Sequence, residues 1–222
     1  MKPLADCHLY AFVDSAYLHD RTPVDLTQQL CDGGADLIQL RAKDWPEEKI
    51  RQTAETLLPI TRAANVSLVI NDHWQLTKNL GAEICHLGQE DFFESSDKGR
   101  ATSDQPSALN PQPALGLSTH APEQAIRAME TNAAYLAIGP VFPTPTKPGR
   151  PGVTLDYVRW AAANVDRPWF AIGGITLENI DSVLEAGARR ICVVSAILNA
   201  PDVGRACQQF HKRLASVPLE KL

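Results

Sequence analysis

Short apolar runs alternate with longer amphipathic segments from one end of the chain to the other. A buried strand is a short run of apolar and β-branched residues, whereas an amphipathic helix repeats its apolar positions every three or four residues. Proline near the start of a segment and glycine at its end mark helix boundaries. We predict strands over 8–13, 36–40, 67–70, 83–87, 114–117, 134–139, 169–172 and 191–194. The predicted helices are 23–34, 46–64, a short helix ending near 80–81, 121–131, 154–163, 176–187 and 201–215.

The β/α alternation repeats eight times, and the amino-acid composition does not mark off a second domain along the chain. We therefore predict one domain over residues 1–222. Eight alternations are typical of a closed parallel barrel, so the predicted fold class is α/β, a single (β/α)8 TIM barrel. A short repeat agrees: Gly-Ala follows a helix and precedes an apolar strand at 34–35, 81–82 and 187–188. Helix capping alone also explains that repeat, and a doubly wound open sheet remains the alternative fold.

Residues 94–113 interrupt the alternation. They are polar, rich in serine and proline, and almost free of apolar periodicity. In place of the helix that should follow strand four, we expect a long mobile loop.

Composition and charge exclude several classes of function. Apolar residues make up 44% of the chain and charged residues 21%, which is ordinary for a globular protein with a core. The formal net charge is −5 and the chain has no Lys/Arg run, so we expect no nucleic-acid partner. No apolar stretch approaches the roughly 20 residues of a membrane span, and the N-terminus lacks the apolar region of a signal peptide. We therefore expect a cytoplasmic protein without a membrane partner, whose five scattered cysteines are reduced and buried.

The carboxyl end of strand two carries a cluster of cations. In a parallel barrel the loops that leave the carboxyl ends of the strands share one face, and active sites lie there. Gln39, Arg41 and Lys43 have period-two spacing, which directs the three side chains the same way. The arginine guanidinium can donate two parallel hydrogen bonds and the lysine ammonium is a compact positive charge, so the pair suits a polyanion. The alternative is a solvated strand end with a salt bridge to Asp44.

Carboxylates follow the next two strands. Asn71 and Asp72 end strand three, and Asp91 follows strand four. Asn-Asp is also a common turn pair. Beside the two cations of strand two, however, the carboxylates suit a Mg²⁺ ion that shares its ligands with a phosphate. His86 lies inside strand four, where a core histidine is favoured over a catalytic one.

The later strands end in hydroxyls and glycines. Ser118, Thr119 and His120 follow strand five, Gly174 follows strand seven and Ser195 follows strand eight. Glycine and serine at the start of the helices after strands seven and eight match a phosphate site frequent in this fold. A tight turn alone also explains the glycines.

Residues 139–152 follow strand six and contain five prolines and three glycines, which exclude a helix or a central strand. Thr144 and Thr146 alternate with prolines beside Lys147, so an extended backbone would direct both hydroxyls similarly. The prolines fix this backbone before a ligand binds. A linker between domains is excluded because the alternation continues on both sides; Arg150 has no assigned role. The barrel mouth thus offers two anion sites, which implies two phosphorylated substrates or one bisphosphate.

Taken in order, these motifs resemble those of the thiamine-phosphate synthase family. The resemblance covers about residues 8–200 and rests on QLRAKD, IND, HLGQED, GLSTH, GPVFPTPTKPGRP, AIGGI and VVSAI. It departs mainly at 94–113, where the family usually has a shorter helical connection. It implies a transferase that condenses 4-amino-2-methyl-5-(diphosphooxymethyl)pyrimidine with 4-methyl-5-(2-phosphooxyethyl)thiazole. The implied mechanism is Mg²⁺-assisted dissociative loss of pyrophosphate, followed by attack of the thiazole nitrogen, to give thiamine phosphate.

The resemblance also implies a role for each matching residue. Asp72 and Asp91 would hold Mg²⁺. The residues implied to be catalytic are Arg41, Lys43, Ser118 and Lys147. Those implied to bind the two substrates are Gln39, Leu40, Arg41, Ala42, Lys43, Asn71, Ser118, Thr144, Pro145, Thr146, Lys147, Gly174, Val194 and Ser195.

Two other functions stay open from the residues alone. A thiazole tautomerase of the same superfamily would share the barrel and use a histidine such as His120 for proton transfer. It has no use for two metal-binding aspartates beside a cluster of cations. A non-catalytic barrel that binds a phosphorylated metabolite is the second alternative. In each case the expected partners are small molecules; the sequence leaves the oligomeric state open, a homo-oligomer included.

Overall fold

The computed structural model describes residues 2–94, 112–143 and 152–219. Eight parallel strands form a closed barrel in which neighbours follow chain order and the last strand pairs with the first. This closure confirms the (β/α)8 TIM barrel and excludes a doubly wound open sheet. The strands are β1 (Leu9–Asp14), β2 (Leu37–Arg41), β3 (Ser67–Asn71), β4 (Ile84–Leu87), β5 (Ala114–Thr119), β6 (Tyr135–Ile138), β7 (Trp169–Ile172) and β8 (Ile191–Cys192).

Helices connect successive strands. None of the helices in the described ranges is both long enough and apolar enough to span a membrane. They are α1 (Pro23–Asp32), α2 (Glu47–Ala63), α3 (Trp74–Leu80), α4 (Gln89–Glu94), α5 (Pro122–Met129), α6 (Thr154–Asn164), α7 (Ile180–Glu185), α8 (Ser195–Leu198) and α9 (Val203–Ala215).

Most element boundaries lie close to the predicted ones, and three of the differences are informative. The short helix α4 follows β4 directly, where no helix is predicted; the expected loop at 94–113 lies almost wholly outside the described residues. Helix α7 begins at Ile180 rather than 176, because the Asn179 side chain accepts a hydrogen bond from Thr176 N at 2.8 Å and holds a turn. Strand β8 ends at Cys192 rather than at 194, and the backbone of Val194 (φ −112°, ψ −88°) is no longer in the strand conformation.

The Gly-Ala repeat marks the ends of helices. Gly34, Gly81 and Gly187 have φ of 86°, 64° and 106°, a region that favours glycine. In each case the N–H of the following alanine donates to a helix carbonyl five residues earlier in the chain. This is the Schellman pattern of helix capping. The repeat therefore reflects capping at helix ends that lead into strands.

Aromatic side chains from β1, β6 and β7 pack together inside the barrel. The ring of Tyr10 stacks on Phe12 with centroids 5.1 Å apart, and meets Tyr135 and Phe170 edge-on at 5.9 and 5.5 Å. Gly116 pairs with Tyr135 in the register of β5 and β6. A Cβ atom on Gly116 would lie 2.2 Å from Tyr135 Cζ, so the ring occupies this place only because residue 116 is glycine.

The cysteines are free, as expected, and only Cys31 is partly exposed. Burial raises the pKa of the Cys7 thiol to about 12 and the pKa of Cys192 well above its usual value. These side chains therefore stay protonated at neutral pH and act as small apolar residues.

Candidate active site

A cavity of about 410 Å³ lies at the carboxyl ends of the strands. This is the face at which the active sites of TIM-barrel enzymes lie. The structure brings most of the predicted site residues in the described ranges together there. The predicted residues that line the cavity are Gln39, Arg41, Lys43, Asn71, Asp72, Asp91, Ser118, Gly174, Val194 and Ser195.

Other predicted residues do not line this cavity or fall outside the description. Leu40 and Ala42 are 2% and 5% exposed and pack in the core. They alternate with the cavity-lining residues of β2, so their side chains point the other way. Their assignment to substrate binding stays a prediction. The remaining predicted site residues lie outside the described residues; they are Thr144, Pro145, Thr146 and Lys147. Arg150, which has no assigned role, also lies outside them.

Arg41 is held by a carboxylate that the sequence analysis missed. Arg41 Nη1 donates to Asp14 Oδ2 at 2.6 Å, and Asp14 Oδ1 accepts from Ala16 N at 3.0 Å. Asp14 is fully buried, and the register of β1 and β2 pairs it with Arg41. The partner of Arg41 is therefore Asp14 rather than Asp44. The pair fixes one end of the guanidinium and leaves its other N–H groups to bind an anion.

Asp72 has a strained backbone directly after β3, where it contacts the neighbouring strand β4. Its φ of 66° lies in the left-handed region, which is uncommon for residues other than glycine. Its N–H donates to His86 O at 2.9 Å, and Asn71 Nδ2 donates to Asp72 Oδ2 at 2.7 Å. These bonds hold the carboxylate at the cavity edge. Strain of this kind is concentrated at functional positions.

The second predicted metal ligand, Asp91, folds back over Gly88. A Cβ atom on Gly88 would lie 3.0 Å from Asp91 Oδ2, so the glycine leaves room for the carboxylate. The described part of the chain (residues 2–94, 112–143 and 152–219) contains no group of three or more His, Cys, Asp or Glu that could hold a metal. Asp72 and Asp91 nevertheless line one cavity. Two carboxylates suit Mg²⁺, which commonly completes its shell with water and substrate phosphate, so the residues fit this ion.

Two glycines after β7 allow a close contact with the loop after β6. Gly173 and Gly174 have φ of 104° and 65°, and both line the cavity. A Cβ atom on Gly173 would lie 2.4 Å from Pro140 Cβ, and one on Gly174 would lie 2.7 Å from Phe142 Cβ. Packing thus requires both glycines. The phosphate-binding role of Gly174 stays a prediction.

A buried hydrogen-bond chain connects two predicted site residues across the barrel. Gln39 Nε2 donates to Tyr10 Oη at 2.5 Å, and Tyr10 Oη lies 3.0 Å from Tyr135 Oη. Tyr135 Oη lies 2.9 Å from His86 Nδ1, and His86 Nε2 lies 2.8 Å from Ser118 Oγ. His86 is 8% exposed, as expected of a core histidine, and also lines the cavity. No sequence signal singles out the two tyrosines, because a tyrosine within an apolar run is typical of core.

The chain is similar to known proteins over most of its length. Residues 9–197 match the thiamine monophosphate synthase family. The chain belongs to this family. A thiamine-phosphate synthase from Thermus thermophilus is 47% identical over 195 residues, which cover 87% of this chain and 90% of that one. One from Acidothermus cellulolyticus is 42% identical over 215 residues, covering 96% and 97%. The solved structure of thiamine phosphate pyrophosphorylase from Pyrococcus furiosus has a TM-score of 0.82 at 28% identity, covering 97% of this chain and 98% of that one.

In this member of the thiamine monophosphate synthase family, the loop after β6 orients His120. The Nδ1 atom of His120 is hydrogen bonded to the carbonyl oxygen of Gly139, and His120 N donates to Gln124 Oε1 at 2.7 Å. A carbonyl oxygen can only accept, so Nδ1 carries a hydrogen. His120 lines the cavity in this orientation.

Apolar side chains form another part of the cavity wall in this family member. They limit the access of water to bound ligands and lower the local dielectric, which strengthens the effect of the nearby charges. The apolar residues that line the cavity include Phe12, Ala137, Ile172, Ile175 and Val193.

Proposed function

We propose that this chain is a thiamine-phosphate synthase. It would join 4-amino-2-methyl-5-(diphosphooxymethyl)pyrimidine to 4-methyl-5-(2-phosphooxyethyl)thiazole and release pyrophosphate. The observation that carries the proposal is the convergence of Arg41 and Lys43 with Asp72 and Asp91 in one cavity at the barrel mouth. Membership of the family supports it.

The first step would break the bond between the pyrimidine methylene carbon and the diphosphate oxygen, and the electron pair would leave with the oxygen. Arg41 and Lys43 would bind the pyrophosphate as its charge grows. Because Asp14 already fixes the guanidinium of Arg41, little reorganisation is needed during the reaction. Asp72 and Asp91 would hold Mg²⁺, which when bound neutralises charge on the leaving group.

In the second step, the lone pair of the thiazole nitrogen would form the new bond to the methylene carbon. This step needs no protein nucleophile and no general base. Gly174 and Ser195 would bind the thiazole phosphate at the ends of β7 and β8, whereas the pyrophosphate ligands follow β2 to β4. The two substrates could thus be bound together. The apolar wall would exclude water, which would otherwise capture the pyrimidine cation.

The test is to mix both substrates with Mg²⁺ and to measure pyrophosphate and thiamine phosphate. We expect equal amounts of the two products, and no release when either substrate is omitted or when a chelator removes the metal. A thiazole tautomerase would rearrange its thiazole substrate without releasing pyrophosphate. A non-catalytic barrel would bind ligand without turnover. Failure to release pyrophosphate at saturating substrate and Mg²⁺ would contradict the proposal.

A further inference from the structure

The buried hydrogen-bond chain from Gln39 to Ser118 has a direction, because each group donates its hydrogen to the next one. Gln39 Nε2 can only donate, so the oxygen of Tyr10 accepts, and the Tyr10 hydroxyl hydrogen can point to Tyr135. Tyr135 then uses its own hydrogen to donate to His86 Nδ1. With Nδ1 as the acceptor, the hydrogen of the neutral ring lies on Nε2, which donates to Ser118 Oγ.

This arrangement gives every buried hydroxyl hydrogen of the chain an acceptor. If Tyr135 donated to Tyr10 instead, the oxygen of Tyr10 would accept twice and its hydrogen would be buried without an acceptor, which is unfavourable. Burial raises the pKa of both tyrosines well above its usual value, so both keep their hydrogens at neutral pH. Turning the amide of Gln39 around would reverse every link and move the ring hydrogen of His86 to Nδ1. The tautomer of His86 therefore reports the direction.

Packing holds the members of the chain in place. The ring of Tyr135 stacks on His86 with centroids 5.7 Å apart and planes 23° apart. The glycine at 116 admits this ring, since a Cβ atom there would lie 2.4 Å from Tyr135 Oη. Tyr10 and Tyr135 are fully buried. The chain is thus a rigid connection between β2 and β5 rather than a set of surface contacts.

We propose that Tyr10, Tyr135 and His86 are positioning residues that turn the Ser118 hydroxyl into a hydrogen-bond donor toward the cavity. Ser118 Oγ accepts from His86, so its own hydrogen is directed to the cavity that it lines. A donor in this position selects an acceptor oxygen, such as that of a diphosphate, over an amino group. Only the identity of this bound group rests on the proposed function.

The direction of the chain can be measured without a substrate. Long-range ¹H–¹⁵N correlation spectra of the full-length protein, with its six histidines ¹⁵N-labelled, distinguish the two tautomers of each ring. We expect His86 to be neutral, with hydrogen on Nε2 and none on Nδ1. A ring with hydrogen on Nδ1, alone or on both nitrogens, would overturn the proposal.

A double-mutant cycle tests whether Tyr135 acts through Ser118. The probe is Mg²⁺-pyrophosphate, with its Kd measured by calorimetry. We expect Ser118→Ala and Tyr135→Phe each to weaken binding on the order of tenfold, the effect of one hydrogen bond to a charged group. In the Ser118→Ala background, Tyr135→Phe should cause no further loss. The same non-additivity is expected in kcat/KM.

The matched control is Tyr157→Phe. Tyr157 Oη donates to Thr119 Oγ1 at 2.8 Å in a buried bond outside the chain, so this variant loses a similar hydrogen bond without acting on Ser118. We expect its affinity for Mg²⁺-pyrophosphate to equal that of the unaltered protein. An equal loss in Tyr157→Phe, or an undiminished effect of Tyr135→Phe in the Ser118→Ala background, would overturn the positioning role.

These results separate the inference from the proposed function. If the unaltered protein shows the expected tautomer and binds Mg²⁺-pyrophosphate, yet forms no thiamine phosphate, the proposed function is contradicted. The direction of the hydrogen-bond chain is not affected by that result. No binding of Mg²⁺-pyrophosphate overturns the assignment of the bound group. If Tyr135→Phe does not fold, the tautomer of His86 in the unaltered protein still decides the direction.

Discussion

Asp14 and Arg41 face each other in the register of β1 and β2, and their side chains form an ion pair of 2.6 Å. The side chains are only 1% and 17% exposed, so solvent screens the pair weakly. Asp14 therefore fixes the direction of the guanidinium. Because Arg41 is expected to bind the leaving pyrophosphate, Asp14 should affect catalysis without touching the substrate.

Asp14→Asn keeps the shape of the side chain but removes the charge that holds Arg41. We expect kcat/KM to fall on the order of ten- to a hundredfold, because a misplaced guanidinium stabilises the transition state less well. The free energy of unfolding should fall by about 3 kcal/mol, since one partner of a buried pair is left uncompensated. Steady-state kinetics and urea denaturation measure the two effects.

The control is Asp156→Asn, which neutralises an ion pair of 2.8 Å with Arg159 on the exposed surface of α6. Solvent screens such a pair, so both measurements should stay at their original values. An Asp14→Asn variant with the original kcat/KM would show that Arg41 does not depend on Asp14.

The barrel could be predicted from the sequence because each strand is a short apolar run preceded or followed by a helix boundary. Glycines 34, 81 and 187 cap helices and make three of these boundaries visible. The start of α7 could not be predicted from periodicity. It depends on the side chain of Asn179, which accepts a hydrogen bond from Thr176 N and holds a turn within an otherwise helical pattern.

Groups at the rim of the barrel were easier to predict than groups inside it. The position of Arg41, Asp72 and Ser118 at the cavity could be predicted because the fold gathers the carboxyl ends of all the strands on one face. Asp14 could have been found in the same way at the end of the first strand. The contact between Tyr10 and Tyr135 could not, since its partners are 125 residues apart and meet only across the closed barrel.

Gly116→Ala should destabilise the barrel. The new Cβ atom would lie 2.2 Å from Tyr135 Cζ, and the ring is enclosed by other aromatic side chains. Overpacking of this kind costs about 1–3 kcal/mol, which urea denaturation can measure. Gly204→Ala in α9 is the control, because its Cβ atom would meet nothing closer than 3.4 Å. That variant should be as stable as the original protein or up to about 1 kcal/mol more stable; equal stabilities of the two variants would contradict the steric argument.

Asp72→Asn tests the metal site. Asparagine tolerates the left-handed backbone at this position, so the change removes the charge with little added strain. We expect the Mg²⁺ concentration for half-maximal activity to rise at least on the order of tenfold, because the ion loses a carboxylate ligand. Asp32→Asn, an exposed residue at the end of α1, is the control. Activity that titrates with Mg²⁺ as in the unaltered protein would refute the assignment of Asp72.

Alkaline pH should destabilise the folded protein through its buried thiols. Burial raises the pKa of Cys7 and of Cys207 from 9.0 to about 12. Between these values the folded chain keeps protons that the unfolded chain releases, so the free energy of unfolding falls as the pH rises. The contribution of each buried thiol to the free energy of unfolding is fully present below the unfolded pKa of 9.0 and is lost as the pH rises through the folded pKa. Each group adds a slope of at most about 1.4 kcal/mol per pH unit.

Urea denaturation in the presence of a reductant, at pH values between about 8 and 11, measures this slope. We expect Cys7→Ala to reduce it, because one titrating group is removed. Val158→Ala, at a fully buried apolar position in α6, lowers stability without removing a titrating group, so its curve should lie parallel to that of the unaltered protein. If Cys7→Ala instead kept the original slope, the pH dependence would have to come from other groups, and the burial of the Cys7 thiol would not contribute to it.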